Sequence, residues 1–150
     1  MPQSFAAAYL HFVFSTKNRE PWIEPAWADR LYGYFGGITK GNKQRLLIAG
    51  GMPDHVHLLV SIGREDTIAG VVGTWKSGSS RWVHDTIPHC AGFAWQSGYG
   101  AFSVSQSQLE VVTNYIRNQA EHHAKTTFQQ EYRAMLQKHE IAFDERYVWD

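Results

Sequence analysis

Residues 44–62, QRLLIAGGMPDHVHLLVSI, are the stretch that decides the fold. Segments 44–50 and 54–62 are rich in apolar residues, and the Gly-Gly-Met-Pro sequence between them is typical of a turn. The stretch therefore predicts two successive β-strands. Within the otherwise apolar run 55–60 of the second strand stand His55 and His57, which are two polar residues where a core strand needs none.

The segments on either side complete an alternating pattern of strands and helices. The predictions are a strand at 8–15, a helix at 25–36, a helix at 66–86 capped by Asp66 or Thr67, one or two short strands within 93–105, a helix at about 108–124 capped by Ser105 or Ser107, and a last helix at about 126–139. The first six elements match the ferredoxin-like βαββαβ order. We therefore predict an α+β sandwich, with an antiparallel sheet, helices packed on one face and additional C-terminal helices, as one domain over residues 1–150.

The composition excludes several classes of protein. Hydrophobic residues make up 43% of the chain, which is too many for a disordered segment. Cys90 is the only cysteine, so an internal disulfide and a four-thiolate zinc site are both excluded. The N-terminus lacks a secretory pattern and no stretch has the length of a membrane span, so we predict a cytoplasmic protein without membrane contact.

The net charge is zero, from 14 basic and 14 acidic residues. Proteins that bind nucleic acid usually carry a basic excess, so this balance argues mildly against such a partner. The charges are nevertheless uneven, because residues 1–50 contain six basic and three acidic residues. A local basic face is compatible with this distribution.

His55 and His57 are the first candidate functional residues. Side chains alternate along a strand, so the two imidazoles share one face while Val56 and Leu58 point to the other. Two imidazoles at this spacing can converge on one metal ion. Taken alone, a pair of this kind is more often two half-exposed strand histidines than a metal site.

Tyr115 and Gln119 are the second pair, four residues apart on one face of the predicted helix 108–124. Considered alone, Tyr115 would be a residue at the edge of the core, and Gln119 would be a solvated amide. Together with the histidines they form a coherent chemistry. His55, His57 and Gln119 would be three neutral ligands of a metal ion that polarises a phosphate, and Tyr115 would supply an oxygen nucleophile.

The two motifs together resemble the signature of the single-tyrosine HUH transposases. The resemblance rests on MPDHVHLLV at 52–60 and on Tyr115-x-x-x-Gln119 later in the chain. This family comprises small bacterial insertion-sequence and REP-associated transposases that act on single-stranded DNA. The resemblance extends over most of the chain and includes HFVFSTKNR, WKSGSSRW, WQSGYGAFSVS and the C-terminal FQQEYRAMLQKHEIAFDERYVWD.

The resemblance implies a DNA transposase, an endonuclease that also performs DNA recombination. Tyr115 would attack a phosphodiester near a hairpin-marked end and become joined to the 5′ phosphate, with a free 3′-OH as the other product. The expected cofactor is Mg²⁺ or Mn²⁺. The expected partners are single-stranded DNA with a hairpin and a second copy of the chain, in a homodimer whose active sites are shared between subunits.

The sequence gives less support for particular DNA contacts than for the histidine and tyrosine motifs. Lys76, Ser77 and Arg81 lie on the second helix and are candidates for gripping the backbone, and Arg117 lies beside the nucleophile. The remaining histidines show no pattern of partners. The sequence predicts a structural role for His11 and surface positions for the others, which are His84, His89, His122 and His123.

Two alternative functions stay open at this point. One is an inactive or domesticated relative that binds hairpin DNA, for example a REP sequence, without cutting it. The other is a two-histidine, metal-dependent nuclease, which would need a carboxylate ligand. Asp54 is a poor candidate because it alternates to the opposite face from His55, and Glu110 and Glu121 fit no familiar spacing.

Overall fold

The structure is a computed structural model, and it describes residues 3–150. Four strands and five α-helices make up its regular structure. The strands are β1 (Ala8–Ser15), β2 (Arg45–Met52), β3 (His55–Ile62) and β4 (Gly100–Val104). The helices are α1 (Pro25–Gly41), α2 (Ile68–Thr86), α3 (Leu109–Arg117), α4 (Gln119–His123) and α5 (Phe128–Lys138).

The strands form one antiparallel sheet in the order β2-β3-β1-β4. This is the strand order of a ferredoxin-like sheet, so the predicted fold class is confirmed. β3 lies at the centre between β1 and β2, and its first residue, His55, pairs with Ser15 and Met52 on the two sides. The histidine pair is therefore fixed by hydrogen-bonded strands on both sides.

Helices α1 and α2 cover one face of the sheet. Side chains at alternate positions of β1 and β3, including Phe12, Phe14 and Leu58, point into this layer and are fully buried. Trp75 of α2 is also fully buried there, edge-on to the ring of Phe12. This aromatic layer is the main hydrophobic core.

The opposite face of the sheet carries the histidines and is covered by the C-terminal helices. Val13 and Phe102 of the sheet pack there against Phe128, Tyr132 and Leu136 of α5. The sheet thus has helices on both faces, and the C-terminal helices form the second layer. Because α5 seals this face, residues on its inner side lie close to β3.

The helix ends agree only in part with their predicted caps. The Thr67 hydroxyl accepts a hydrogen bond from the amide of Gly70, which confirms Thr67 as the cap of α2. Ser105 and Ser107 do not cap α3, because a 3₁₀ turn at Gln106–Gln108 comes before it. The predicted helix 108–124 is also interrupted at Asn118, where ψ is 29°, and this break separates α3 from α4.

The extended segment at 93–105 differs in part from its prediction, and the tail adds a contact of its own. Within residues 93–105 only Gly100–Val104 forms a strand, and Trp95 makes an isolated bridge to Thr16. The C-terminal tail folds back on the sheet, since Gln96 Nε2 donates to the Asp150 carbonyl at 3.0 Å.

Among the described residues, no helix combines the length and apolar character needed to cross a membrane.

Gly50 is the position where α3 comes closest to the sheet. It pairs with His57 across β2 and β3, so a side chain there would point to the same face as the histidine. A Cβ atom at Gly50 would lie 2.8 Å from the main-chain oxygen of Ile116 in α3. The missing side chain is therefore what lets the helix lie against β2 next to His57.

We expect Gly50→Ala to destabilise the protein by about 1–3 kcal/mol, because the added methyl meets backbone that cannot rotate away. Urea unfolding monitored by circular dichroism measures this change. Gly37→Ala is the matched control, since a Cβ at this exposed helical position meets nothing within 4 Å. That control should be neutral or stabilise by up to about 1 kcal/mol. Equal stability of both variants would show that α3 does not depend on this contact.

Candidate active site

His55 and His57 lie on the face of β3 that α5 covers, and both side chains are fully buried. The predicted alternation is seen in the structure, because Val56 and Leu58 point into the opposite, aromatic core. The two rings are 5.1 Å apart between centroids and nearly perpendicular to each other. They form a pair of nitrogen donors in a site that water does not reach freely.

Each nitrogen of His57 has a partner. Nδ1 lies 2.8 Å from Nε2 of His11 on β1, and Nε2 lies 2.9 Å from Oε1 of Glu131 on α5. Burial lowers the pKa of His57, although Glu131 acts in the opposite direction. The neutral imidazole, which is the form that binds metals, is therefore favoured.

His55 is held in the same way. Its Nδ1 donates to Asp54 Oδ1 at 2.7 Å, and its Nε2 lies 3.1 Å from Oε1 of Gln119. Burial alone would lower the pKa of His55, but Asp54 and Glu131 outweigh it and raise the value to about 9. A metal ion at Nε2 would have to replace a proton there.

Tyr115 projects from α3 into the same cluster. Its hydroxyl donates a hydrogen bond to Glu131 Oε2 and lies 3.4 Å from Nε2 of His122. Burial and the neighbouring carboxylate together raise the pKa of Tyr115 well above its usual value. The hydroxyl is thus neutral at rest, and a hydrogen-bond acceptor is already in contact with it.

Glu131 joins these groups and is only 3% exposed. Burial alone would raise its pKa, yet hydrogen bonds from His55 and His57 hold the pKa well below the usual range. Its second oxygen also accepts from Gln119 Nε2 at 3.2 Å. The carboxylate is therefore ionised and is shared between the histidines, the amide and the tyrosine.

The four residues with predicted catalytic or ligand roles are brought together in one chain, namely His55, His57, Tyr115 and Gln119. Two residues at the centre of the cluster, Glu131 and His123, were missed. The prediction that His123 is a surface residue is wrong, because its side chain is 6% exposed and faces Glu131. His11, for which a structural role was predicted, is buried, and its ring contacts the site directly.

A signal for Glu131 was present in the sequence. Phe128, Tyr132 and Leu136 follow a helical spacing on α5, and Glu131 is three residues after the first of them. An acidic side chain on the apolar side of a helix has to find a buried partner. His123 offered no comparable signal, because its position depends on the helix break at Asn118.

Four of these side chains meet the requirement for holding a metal ion, with donor atoms within 4.8 Å of one another. They are His55, His57, His123 and Glu131. The Nε2 atom of His123 is buried and has no hydrogen-bond partner among residues 3–150, which suits an atom that awaits a ligand. The donor set of imidazoles, carboxylate and amide oxygen fits a divalent cation.

Three of the predicted DNA contacts lie away from this cluster. Lys76, Ser77 and Arg81 belong to α2, which covers the other face of the sheet. Ser77 and Arg81 line a shallow depression between α1 and α2. Lys76 Nζ instead donates to main-chain oxygens of the 96–98 segment, including Gly98 at 2.6 Å. Their role in DNA binding stays a prediction.

We expect Lys76→Met to destabilise the fold by about 1–3 kcal/mol, because it removes a charged donor from three carbonyl groups. Thermal unfolding measures the effect. Lys40→Met, at an exposed position of α1, is the matched control and should change the stability by less than about 0.5 kcal/mol. An unchanged melting temperature for Lys76→Met would show that the ammonium group is free for another partner.

Arg117 lies on α3, two residues after Tyr115. It is exposed, and its guanidinium donates to the Asn114 side chain at 2.8 Å. Beside α3, a cavity of about 780 Å³ opens between β4 and α5, and its wall includes Tyr115, Glu131 and Val111. This cavity leads from the surface to the tyrosine hydroxyl.

Known proteins with similar sequences and folds agree on one family. Residues 4–119 match the family described as "Transposase IS200 like". The chain is 27% identical over 114 residues to the ISDra2 transposase TnpA of Deinococcus radiodurans, covering 73% of this chain and 81% of that protein.

Two solved structures share the fold. A crystal structure of a Deinococcus radiodurans R1 protein assigned as a transposase has a TM-score of 0.65 and 27% identity, and covers 79% of this chain and 98% of the other. A REP-associated tyrosine transposase bound to a REP hairpin has a TM-score of 0.60 at 12% identity, with 84% and 74% covered. Since the family match spans most of the sequence, the chain belongs to the IS200-like transposases.

Proposed function

We propose that the chain cleaves and rejoins single-stranded DNA at hairpin-marked ends by transesterification, with Tyr115 as the nucleophile. The observation that carries the proposal is the contact of the Tyr115 hydroxyl with a buried cluster built on His55 and His57, in a chain of the IS200-like family. A tyrosine oxygen beside a set of metal-binding groups is suited to attack on a phosphodiester.

In this reaction the Tyr115 oxygen forms a bond to phosphorus, and the bond from phosphorus to the 3′ oxygen breaks. The tyrosine loses its proton and the departing oxygen gains one, so the products are a 5′-phosphotyrosine and a free 3′-OH. Glu131 Oε2 and His122 Nε2 are the two acceptors next to the hydroxyl. Because the link to tyrosine conserves the phosphodiester energy, a second 3′-OH can reverse the step and join new ends.

The proposed metal site consists of His55, His57 and Gln119. Their donor atoms converge, since Gln119 Oε1 lies 3.1 Å from His55 Nε2. A bound Mg²⁺ or Mn²⁺ would supply the positive charge that polarises the scissile phosphate. Imidazole ligands suit Mn²⁺ better than Mg²⁺.

The proposed partner is single-stranded DNA with a hairpin. The REP-associated transposase of similar fold was solved with a REP hairpin, which is consistent with the proposal for this chain. The cavity beside Tyr115 would admit the strand, and Arg117 is the predicted phosphate contact nearest to the nucleophile. Lys76, Ser77 and Arg81 would contact the strand only if it continued around the sheet edge.

A homodimer is also part of the proposal. Among the described residues β4 pairs only with β1, so its outer edge offers free main-chain groups to another copy. Tyr115 already contacts its own cluster, and a shared site would require the partner's α3 to take this position. Light scattering after size exclusion, with and without DNA, measures the oligomeric state.

The test is incubation with end-labelled hairpin DNA carrying single-stranded flanks, in the presence of Mn²⁺ or Mg²⁺, followed by a denaturing gel. A labelled band at the mass of a protein–DNA adduct, absent when EDTA is added, supports the proposal. Free cut products without an adduct would indicate the metal-dependent nuclease. Binding in a gel-shift assay without any cutting would indicate the inactive hairpin-binding relative.

A further inference from the structure

Glu131 lies outside the part of the chain that matches the family. That match ends at residue 119, whereas Glu131 is on α5. Its side chain is nevertheless at the centre of the buried cluster. The C-terminal segment therefore adds a group to the site from outside the matched residues.

The distances around Glu131 Oε1 resemble those of a coordination shell. This oxygen lies 2.9 Å from Nε2 of His57, 3.4 Å from Nε2 of His55 and 3.2 Å from Nε2 of His123. Ligand atoms about 2.1 Å from one ion are roughly 3.0–3.4 Å from one another in octahedral or tetrahedral geometry. Glu131 Oε1 thus has the spacing of a neighbouring ligand to each of the three nitrogens, and all four donor atoms lie within 4.8 Å of one another.

The opposite ring nitrogens also fit this arrangement. His55 Nδ1 donates to Asp54, and His123 Nδ1 donates to the Thr126 carbonyl at 2.6 Å. His57 Nδ1 can donate to His11 Nε2 in the same manner. A neutral imidazole with hydrogen on Nδ1 leaves a lone pair on Nε2, and such outer partners are typical of metal-binding histidines.

The charge of Glu131 requires a positive partner. Within residues 3–150 its ion-pair partners are all histidines, with no lysine or arginine among them. A buried carboxylate is costly when its charge is not compensated. A protonated histidine provides that compensation without an ion, and a divalent cation that displaces the proton would provide it in the metal complex.

We propose that Glu131 is a ligand of the metal ion through Oε1 and at the same time holds the Tyr115 hydroxyl through Oε2. His123 is a further ligand in this arrangement. The inference rests on the proposed function for the identity of the nucleophile, and it names a carboxylate that links metal binding to the position of that nucleophile. Glu131 is a positioning residue towards Tyr115, because it reaches the reacting phosphate only through the ion and the tyrosine.

The first experiment measures Mn²⁺ affinity by calorimetry or by electron paramagnetic resonance, without DNA. Glu131→Gln should bind Mn²⁺ at least about tenfold more weakly than the unmodified chain. Glu121→Gln is the matched control, since it removes the same charge from an exposed position on α4 and should leave the affinity unchanged. Circular dichroism verifies that both variants are folded.

Unchanged affinity in Glu131→Gln would overturn the proposal. Tighter binding would overturn it too, because it would show that the carboxylate occupies the place of the ion and is displaced by it. A crystal structure of the unmodified chain with Mn²⁺ tests the same point without any variant. The ion should lie within about 2.3 Å of Glu131 Oε1, and an ion bound by the histidines but distant from this oxygen would refute the assignment.

The two proposals fail in different ways. If the chain forms no covalent adduct with DNA but Glu131→Gln loses Mn²⁺, the ligand assignment stands and the proposed function fails. If the adduct forms and Glu131→Gln binds Mn²⁺ normally, the proposed function stands alone. At saturating Mn²⁺ the Glu131→Gln variant should still form the adduct more slowly, because the amide places an N–H or a weaker acceptor where the tyrosine hydroxyl donates.

Discussion

Replacement of Tyr115 with phenylalanine is expected to reduce the covalent protein–DNA adduct by about three orders of magnitude or more, to below detection on a denaturing gel. The substitution removes one oxygen, which is the atom that would bond to phosphorus. It leaves the ring in contact with its neighbours, so the fold should lose only about 1 kcal/mol from the missing hydrogen bond to Glu131.

The matched control is Tyr147→Phe, which removes a hydroxyl at an exposed position of the tail and should form the adduct normally. Binding of the hairpin to Tyr115→Phe should persist, because the substitution removes a single oxygen, whose hydrogen bond is to Glu131, and keeps the aromatic ring in place. An adduct that survives in Tyr115→Phe would mean that another side chain is the nucleophile. Free cut products in this variant would favour the nuclease.

The second large effect is expected for His57→Ala. We expect Mn²⁺ affinity to fall by more than about a hundredfold, because loss of an outer partner of a ligand already costs 10–100-fold. Adduct formation should be lost together with it. The substitution also leaves His11 Nε2 and Glu131 Oε1 without a common partner, so the free energy of unfolding should fall by about 1–3 kcal/mol.

Thermal unfolding with added Mn²⁺ separates these two effects. An ion that binds the folded chain alone stabilises it by about 2.7 kcal/mol at a hundred times its dissociation constant. Mn²⁺ should therefore raise the melting temperature of the unmodified chain and leave that of His57→Ala unchanged. His84→Ala, on α2 beneath the other face of the sheet, should respond as the unmodified chain does. An equal rise in His57→Ala would place the ion elsewhere.

Local patterns were sufficient to predict the sheet and one half of the site. β1 has its predicted bounds at residues 8–15, and β3 begins one residue later than predicted. Both strands consist mostly of aliphatic and aromatic residues, so their composition was informative, and side chains along a strand alternate with a period of two. The same period predicted that His55 and His57 share a face.

The other half of the site depends on contacts between segments distant in sequence. Glu131 reaches His57 only because α5 docks on the sheet, and no local pattern specifies that docking. His123 turns inward because the helix is interrupted at Asn118, whereas an unbroken helix had been predicted. Tyr115 and Gln119 were predicted to share one helix. They in fact lie on either side of the interruption, and Gln119 still contacts the Tyr115 carbonyl at 3.5 Å.

The apolar side of helix α5 packs on the sheet, and the one inward carboxylate of this helix contacts the histidines. A gene copy that ended after the family-matched residues would therefore lose its cover over Val13 and Phe102 together with Glu131. Such a product should aggregate rather than persist as a weakened enzyme, because a large apolar face would be open to solvent. Shortening of this chain by frameshift or recombination should thus remove the protein in one step, without leaving a folded, inactive remnant.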